Sequence, residues 1–305
     1  MFDVVTFGAA TVDIFIKSPQ LVIKDGLLGI PTSSKNEVSQ SLFSSGGGAT
    51  NAATTFSRLK LKVACASLIG SDPLSQIIIN DLDSEKIDQS LIIKNSDNTD
   101  FSVILVDPVG GRSIFTNRGL TSLEAKHINW SKLTSVKWFY ITSLEGNIDL
   151  LEQLIGFAVE HKIKLSFNPG RRELNNLRRL IPLLQHLDFL LLNKTESEIL
   201  TSLTVNHTDF WDKLTSFGPQ IIAVTNGRDG AYISTSGQKF YSPIINTTPV
   251  DETGAGDAFG SGFIGGLVYG QTPENALFWG IKNSAAAVSA LGAKPGLLTY
   301  DQIAS

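Results

Sequence analysis

The chain has 305 residues, 42% of them apolar and 18% charged, which is enough length and apolar content for one large α/β domain or one domain with a small appendage. A net charge of −4 with no long basic block argues against nucleic acid or an anionic membrane surface as partner, and no apolar run approaches the length of a bilayer span. The single cysteine, Cys65, lies in an apolar run and excludes an intrachain disulfide framework; with no basic leader ahead of Met1-Phe2-Asp3, a reducing cytoplasm is expected. The histidines at 127, 161, 186 and 207 are scattered without metal-ligand spacing.

In chain order, residues 4–7 read as a short strand that runs into Gly8-Ala9-Ala10-Thr11-Val12-Asp13. Asp13 therefore falls just past a strand's C-terminal end, where open α/β sheets gather their ligands. Residues 16–44 break into short extended pieces with polar interruptions. Residues 101–106 and 113–117 have the same character and are joined by the hairpin signal Asp107-Pro108-Val109-Gly110-Gly111. A small sheet outside the main body is expected from about 14–44 and 100–118, and strands of that kind, unable to cover both faces alone, commonly pair with another subunit. Between them stands Ser45-Gly46-Gly47-Gly48-Ala49-Thr50-Asn51, opening a small-residue helix to Leu59. Its glycines allow close backbone approach, and Asn51 offers both a donor and an acceptor to sugar hydroxyls.

Strand and helix then alternate: strand 63–69, helix 74–86, strand 136–142, helix 148–161, strand 163–168, helix 174–186, and strands 188–192 and 220–225. Such repetition predicts a parallel sheet covered on both faces. Functional loops should follow the strands, and Glu145, Asn168, Asn193-Lys194-Thr195-Glu196 and Thr225-Asn226-Gly227-Arg228-Asp229-Gly230 all do. Asn193 and Glu196 also fit an ordinary helix start.

The stretch Val250-Asp251-Glu252-Thr253-Gly254-Ala255-Gly256-Asp257-Ala258-Phe259 leads into an apolar helix ending near Val268. First-turn amides have no intrahelical partner and point outward at the positive end of a helix dipole, which makes an anion site. A carboxylate at Asp257 would repel a permanently bound phosphate, unless it takes a proton from an attacking hydroxyl while the amides hold the transferring group. A glycine turn with an acidic cap has the same spacing. Gly260, Gly262, Gly265 and Gly266 each cost about 1 kcal/mol inside that helix, so close approach of backbone or ligand must compensate. No Walker P-loop occurs. A last helix is expected over 273–291, with Asn283 near its middle, followed by Gly292-Ala293-Lys294-Pro295-Gly296.

Residues 251–259 closely resemble the C-terminal signature of the ribokinase-like (PfkB) family of sugar and nucleoside kinases, and Gly46, Gly47 and Asn51 resemble its N-terminal G-G-x-x-x-N signature. The resemblance covers essentially the whole chain. It implies a single domain over 1–305, α/β in class, with a mostly parallel central sheet flanked by helices and a small β-sheet lid; from the uncovered strands of that lid a homodimer paired through it is expected. It implies transfer of the γ-phosphoryl of ATP, with Mg²⁺, to a hydroxyl of a ribose- or fructose-like sugar. Asp257 is then the base, and Gly254, Ala255 and Gly256 form the anion hole. Asp13, Gly46, Gly47, Asn51 and Glu145 hold the acceptor. Asn193 and Glu196 organise Mg²⁺ and phosphates through water, while Thr225, Gly227, Gly230 and Asn283 line the nucleotide. Asp251 and Thr253 lie beside a monovalent-cation (K⁺) site. Three positions depart from the pattern: Gly48 where ribokinase has a lysine, Gly296 where it has a serine, and Glu252 where a small or hydroxyl residue is usual. A nucleoside acceptor shares every motif and would use lid aromatics such as Phe15, Phe43 or Phe101. Arg118 offers a charge to a phosphorylated acceptor. A non-catalytic sensor would gain by losing Asp257.

Overall fold

The computed structural model describes residues 1–95, 97–106, 112–119 and 122–305, so the hairpin signal at 107–111 lies outside the described residues. The N-terminal part runs β1 (Val4–Phe7), β2 (Thr11–Lys17), β3 (Val22–Lys24), β4 (Leu27–Gly29), β5 (Gln40–Gly46), α1 (Gly48–Arg58), β6 (Val63–Ile69), α2 (Pro73–Ser84), β7 (Ile92–Lys94), β8 (Phe101–Val106) and β9 (Arg112–Asn117). It continues through β10 (Trp138–Ile141), α3 (Ile148–His161), β11 (Lys164–Phe167), α4 (Arg171–Leu174), α5 (Leu177–Leu184), β12 (Phe189–Asn193), α6 (Lys194–Thr201), α7 (Phe210–Thr215), β13 (Ile221–Thr225), β14 (Ala231–Thr235) and β15 (Gln238–Ser242). The chain closes with α8 (Ala255–Val268), α9 (Pro273–Ala287) and α10 (Tyr300–Ala304).

The main sheet has the order β15-β14-β13-β12-β11-β10-β1-β6-β7, parallel from β13 to β7 and antiparallel at the β13-β14-β15 end. Alternate side chains of each strand enter opposite layers. Val5, Phe7, Phe139, Ile141, Leu190 and Leu192 pack under α3, α5, α6 and α7. Val4, Cys65, Trp138, Tyr140, Phe189 and Leu191 pack under α1, α2, α8 and α9. A second sheet, β5-β2-β8-β9, stands apart from the main one. All six residues of β9 are exposed.

Three expectations change. The helix expected over 174–186 is two pieces, because Asn176 leaves the helical region at φ −123°, ψ 52° and begins α5. The helix expected to reach 291 stops at Ala287, where Val288 C=O accepts Val250 N–H at 2.7 Å and Asp251 N–H at 3.2 Å. Asp13 lies in no loop: it sits inside β2, opposite Ser44 and Ser102. The β14-β15 hairpin was not anticipated, although Ser236-Gly237, with φ of 48° and 75°, is the positive-φ pair that a two-residue hairpin turn demands.

Candidate active site

From β1 the chain steps outward to β6 and β7, and from β10 it steps the opposite way to β13, so strand order reverses between β1 and β10. Crevices outside the C-terminal ends of such strands bind ligands. Gly8 follows β1 and Thr142 follows β10; a Cβ on Gly8 would overlap Thr142 Oγ1, so the two ends close on each other only at glycine. Glu145, just beyond, holds φ at 59°, which costs a non-glycine residue on the order of 1 kcal/mol or more. Buried Glu173 holds this turn, accepting N–H bonds from Leu144 and Gly146 at 2.8 Å each and from Gly170 at 2.9 Å. The Glu145 carboxylate is paired with the Arg118 guanidinium.

The triple glycine serves the protein's own walls. A Cβ on Gly46 would overlap the Asp13 carboxylate, one on Gly47 (φ 90°) would overlap Ala9 C=O, and one on Gly48 would lie 2.7 Å from Thr142 Oγ1. These contacts bring Asp13, Ala9 and Thr142 around the N-terminus of α1. Asn51, 5% exposed in its first turns, donates from Nδ2 to Asp257 Oδ2 at 2.9 Å, and its buried Oδ1 has no hydrogen-bond partner among the described residues. Two signatures 206 residues apart therefore meet in one hydrogen bond.

Gly254 caps α8 at φ 76°, against Ala293, and the first intrahelical bond recorded beyond it is Ala258 N–H to Gly254 C=O at 2.8 Å. The amides of Gly256 and Asp257 thus have no intrahelical acceptor. Among the described residues a Cβ on Gly256 would meet nothing within 4 Å, so the first turn of α8 is uncrowded at that residue. Burial pushes the Asp257 carboxyl above its ordinary value, opposed by the Asn51 amide, which brings it nearer the range of a working base. The other glycines of α8 admit protein groups: Tyr140 Oη at Gly260, the α9 backbone at Gly262 and Gly266, and Leu59 at Gly265.

Behind Asp13 lies a buried charged cluster. Lys294, 5% exposed, donates from Nζ to Asp81 Oδ2 at 2.6 Å and to Ser45 Oγ, and Ser45 also donates to Asp81. Burial pushes the Asp13 carboxyl up to about 6, partly offset by the charge of Lys294 and a bond from Ser102. The sign follows directly. Between about pH 4 and 6 folded Asp13 holds a proton that the unfolded chain has lost, so its contribution to stability falls as pH rises through that window. Acceptor hydroxyls favour the ionised form, so affinity should move the opposite way. We expect acceptor binding, measured by calorimetry, to be about tenfold weaker at pH 5 than at pH 7.5; a flat profile would contradict Asp13 as its partner.

Where β12 runs into α6, Asn193 and Glu196 form a capping box: Asn193 Oδ1 accepts Glu196 N–H at 2.9 Å, and Glu196 Oε2 accepts Asn193 N–H at 2.8 Å. Burial, with a smaller contribution from the nearby Glu173 charge, raises the Glu196 carboxyl above its ordinary value. Thr225 ends β13, and exposed Gly227 (φ 53°) faces open space. Two expected nucleotide contacts are engaged by the chain itself. Gly230 is buried at φ 81°, and a Cβ there would overlap Ser242 C=O, so chain packing demands this glycine. Asn283 is fully buried: Nδ2 donates to Ala258 C=O at 2.8 Å and to Thr55 Oγ1 at 3.3 Å, while Oδ1 accepts Leu298 N–H at 3.0 Å. Its amide ties α9 to α8.

Sequence reasoning missed Lys294, Asp81, Glu173 and Arg112. A lysine between alanine and proline-glycine after an apolar helix was the one available signal for the first. Arg112 donates to Asp251 at 2.6 Å, a contact across 139 residues with no local signature.

A family model described as pfkB family carbohydrate kinase matches residues 1–299. The ribokinase of Staphylococcus aureus is 26% identical over 309 residues, covering 98% of each chain. The ATP-dependent ribose-1-phosphate kinase of Halopiger xanaduensis is 26% identical over 292 residues, covering 95% of this chain and 92% of its own. Among solved structures, an E. coli protein assigned provisionally as ribokinase II, in complex with ATP and Mg²⁺, matches with a TM-score of 0.85 at 20% identity, covering 100% of this chain and 98% of its own. At that identity the likeness is one of fold.

Proposed function

Because the chain belongs to the pfkB family of carbohydrate kinases and is an ATP-dependent phosphotransferase acting on a sugar, we infer that its acceptor is a neutral sugar gripped by Asp13, Asn51 and Glu145. Asp257 takes the proton of the attacking hydroxyl. The observation that carries this is the Asn51–Asp257 hydrogen bond at the N-terminus of α8, where among the described residues nothing crowds Gly256. A base oriented by an amide, beside outward amides, can activate a hydroxyl while the developing charge on the phosphoryl oxygens is stabilised.

A nucleoside is less well served. Phe15 is 1% exposed and Phe43 is 56% exposed, so these two rings do not form one slot for a base. A phosphorylated acceptor, as the name of the Halopiger enzyme implies for that protein, would find Arg118 already neutralised by Glu145. A pure sensor has no use for a carboxylate among phosphate-binding amides. The test is ADP release coupled to a panel of free sugars, sugar phosphates and nucleosides. At least one free sugar should stimulate release strongly, whereas stimulation only by sugar phosphates or only by nucleosides would overturn the acceptor assignment.

Among the described residues no three acidic, histidine or cysteine groups converge to cage a metal, so Mg²⁺ would arrive with the nucleotide and keep most of its waters. Glu196 suits a water-mediated partner, since burial and Glu173 leave its charge under-compensated. When bound, the ion neutralises charge on the phosphates. Thr225 and Gly227 border the space for the nucleotide.

The β5-β2-β8-β9 sheet acts as a lid and pairs between two copies. Support comes from its exposed apolar side chains, including Phe43 at 56%, Ile114 at 50% and Phe115 at 66%, and from the bare edge of β9. Closure would exclude water, which competes with the acceptor hydroxyl. Hydrogen exchange across 16–44 and 101–117 should slow with acceptor and slow less with ATP alone. Equal protection in both cases would remove the lid, and a monomer by light scattering would remove the pairing.

A further inference from the structure

The Asp251 carboxylate, 6% exposed, accepts four hydrogen bonds. Its Oδ1 accepts Thr253 N–H at 3.0 Å, Thr253 Oγ1–H at 2.7 Å and Arg112 Nη1–H at 2.6 Å, and its Oδ2 accepts Gly292 N–H at 3.0 Å. The resemblance sets a monovalent cation beside this carboxylate and the 292–296 loop. The residues present do not fit one. A guanidinium already supplies the unit positive charge at Oδ1. Gly296 offers no side-chain oxygen, and a Cβ there would overlap Ala286 C=O, so no hydroxyl residue could stand in its place.

We propose that Arg112 is the resident cation of this enzyme, replacing a dissolved monovalent ion at Asp251 and thereby holding the 251–256 loop in the geometry that presents the anion-hole amides. A carboxylate buried to this degree without a counter-charge is strongly disfavoured, so some cation must accompany it. Arg112 differs from an ion in being tethered: it opens β9 and pairs with Val106 of β8, so its charge reaches Asp251 only when that sheet lies over the loop. The lid and the anion hole are thus joined by one ion pair. Arg112 is a positioning residue, acting on the amides of Gly254–Gly256 through Asp251 and Thr253. Val106, which pairs with Arg112, Val250, which precedes Asp251, and Leu291, which precedes Gly292, line a cavity of about 120 Å³.

The proposal rests on phosphoryl transfer only for its kinetic arm. The first arm is thermal unfolding of the full chain in potassium chloride and in choline chloride at equal ionic strength. Wild type should melt at the same temperature in both. Arg112→Ala should melt lower in choline by on the order of 5 °C and recover much of this in potassium, as a small ion takes the vacated charge. Adding Asp251→Asn to Arg112→Ala should abolish the difference between salts. In the kinetic arm, wild-type turnover should be indifferent to potassium, while Arg112→Ala should fall about 10- to 100-fold in choline and regain most of that in potassium. Loss of turnover with every acceptor would sink the phosphotransfer reading and leave the melting comparison intact. A wild type that melts higher or turns over several-fold faster in potassium would overturn the proposal. So would an Arg112→Ala variant unchanged in both salts, or one equally weakened in both and unrelieved by Asp251→Asn.

Discussion

Asp257→Asn is expected to lower kcat by about 10² to 10⁴-fold, the usual cost of losing a positioned base, while ATP still binds. The amide keeps the shape of the side chain, and Asn51 can rotate its own amide to present an acceptor, so the hydrogen bond that fixes the side chain survives. What is lost is the capacity to receive a proton. Turnover and ATP affinity measured on the same preparation separate the two effects. A variant with near-normal turnover would remove Asp257 from the chemistry. Because burial holds this carboxyl above its ordinary value, wild-type kcat should also fall on the acid side, and that limb should be absent from the residual activity of the variant.

Asp13→Ala should act on the acceptor alone. A hydrogen bond to a charged group is worth roughly 1.5 to 3 kcal/mol, which corresponds to a loss of about 10- to 150-fold in acceptor affinity. ATP affinity should stay near the wild-type value, since Asp13 belongs to β2 and its neighbours are Gly46, Ser44 and Ser102. Calorimetry with each ligand decides the point, and a larger loss for ATP than for acceptor would exchange the two sites. Gly46→Ala gives an independent view of the same contact, because its Cβ would displace the carboxylate without removing it. The acceptor should again weaken and ATP should not.

The sequence revealed most where a pattern is local. Strand runs such as 63–69 and 188–192 are apolar because both faces of the central sheet are covered, and their alternation with helices was enough for a parallel α/β body. Gly254 and Asp257 were legible because a helix start has a fixed chemistry. Less visible were groups whose partners lie far along the chain. Asn283 has a polar amide in an apolar helix, which suggests a ligand until Ala258, Thr55 and Leu298 are seen to satisfy it. The glycines of α8 called for close approach, but sequence does not tell a ligand from Tyr140 or Leu59. Lys294 meets Ser45 across 249 residues, and nothing at either position marks the encounter. The break between α4 and α5 escaped for a related reason: Glu173, a good helix former, caps α4 at Gly170 and is committed to two backbone amides far along the chain, those of Leu144 and Gly146.

The fate of the γ-phosphoryl group tests the role of Asp257 most directly. In ³¹P spectra of ATP mixed with the enzyme and the sugar that stimulates ADP release, loss of the γ-phosphate signal should be matched one for one by a phosphomonoester coupled to a sugar carbon, and the parallel sample with Asp257→Asn should change little over the same interval. Inorganic phosphate as the only new signal, or equal conversion by Asp257→Asn, would contradict it.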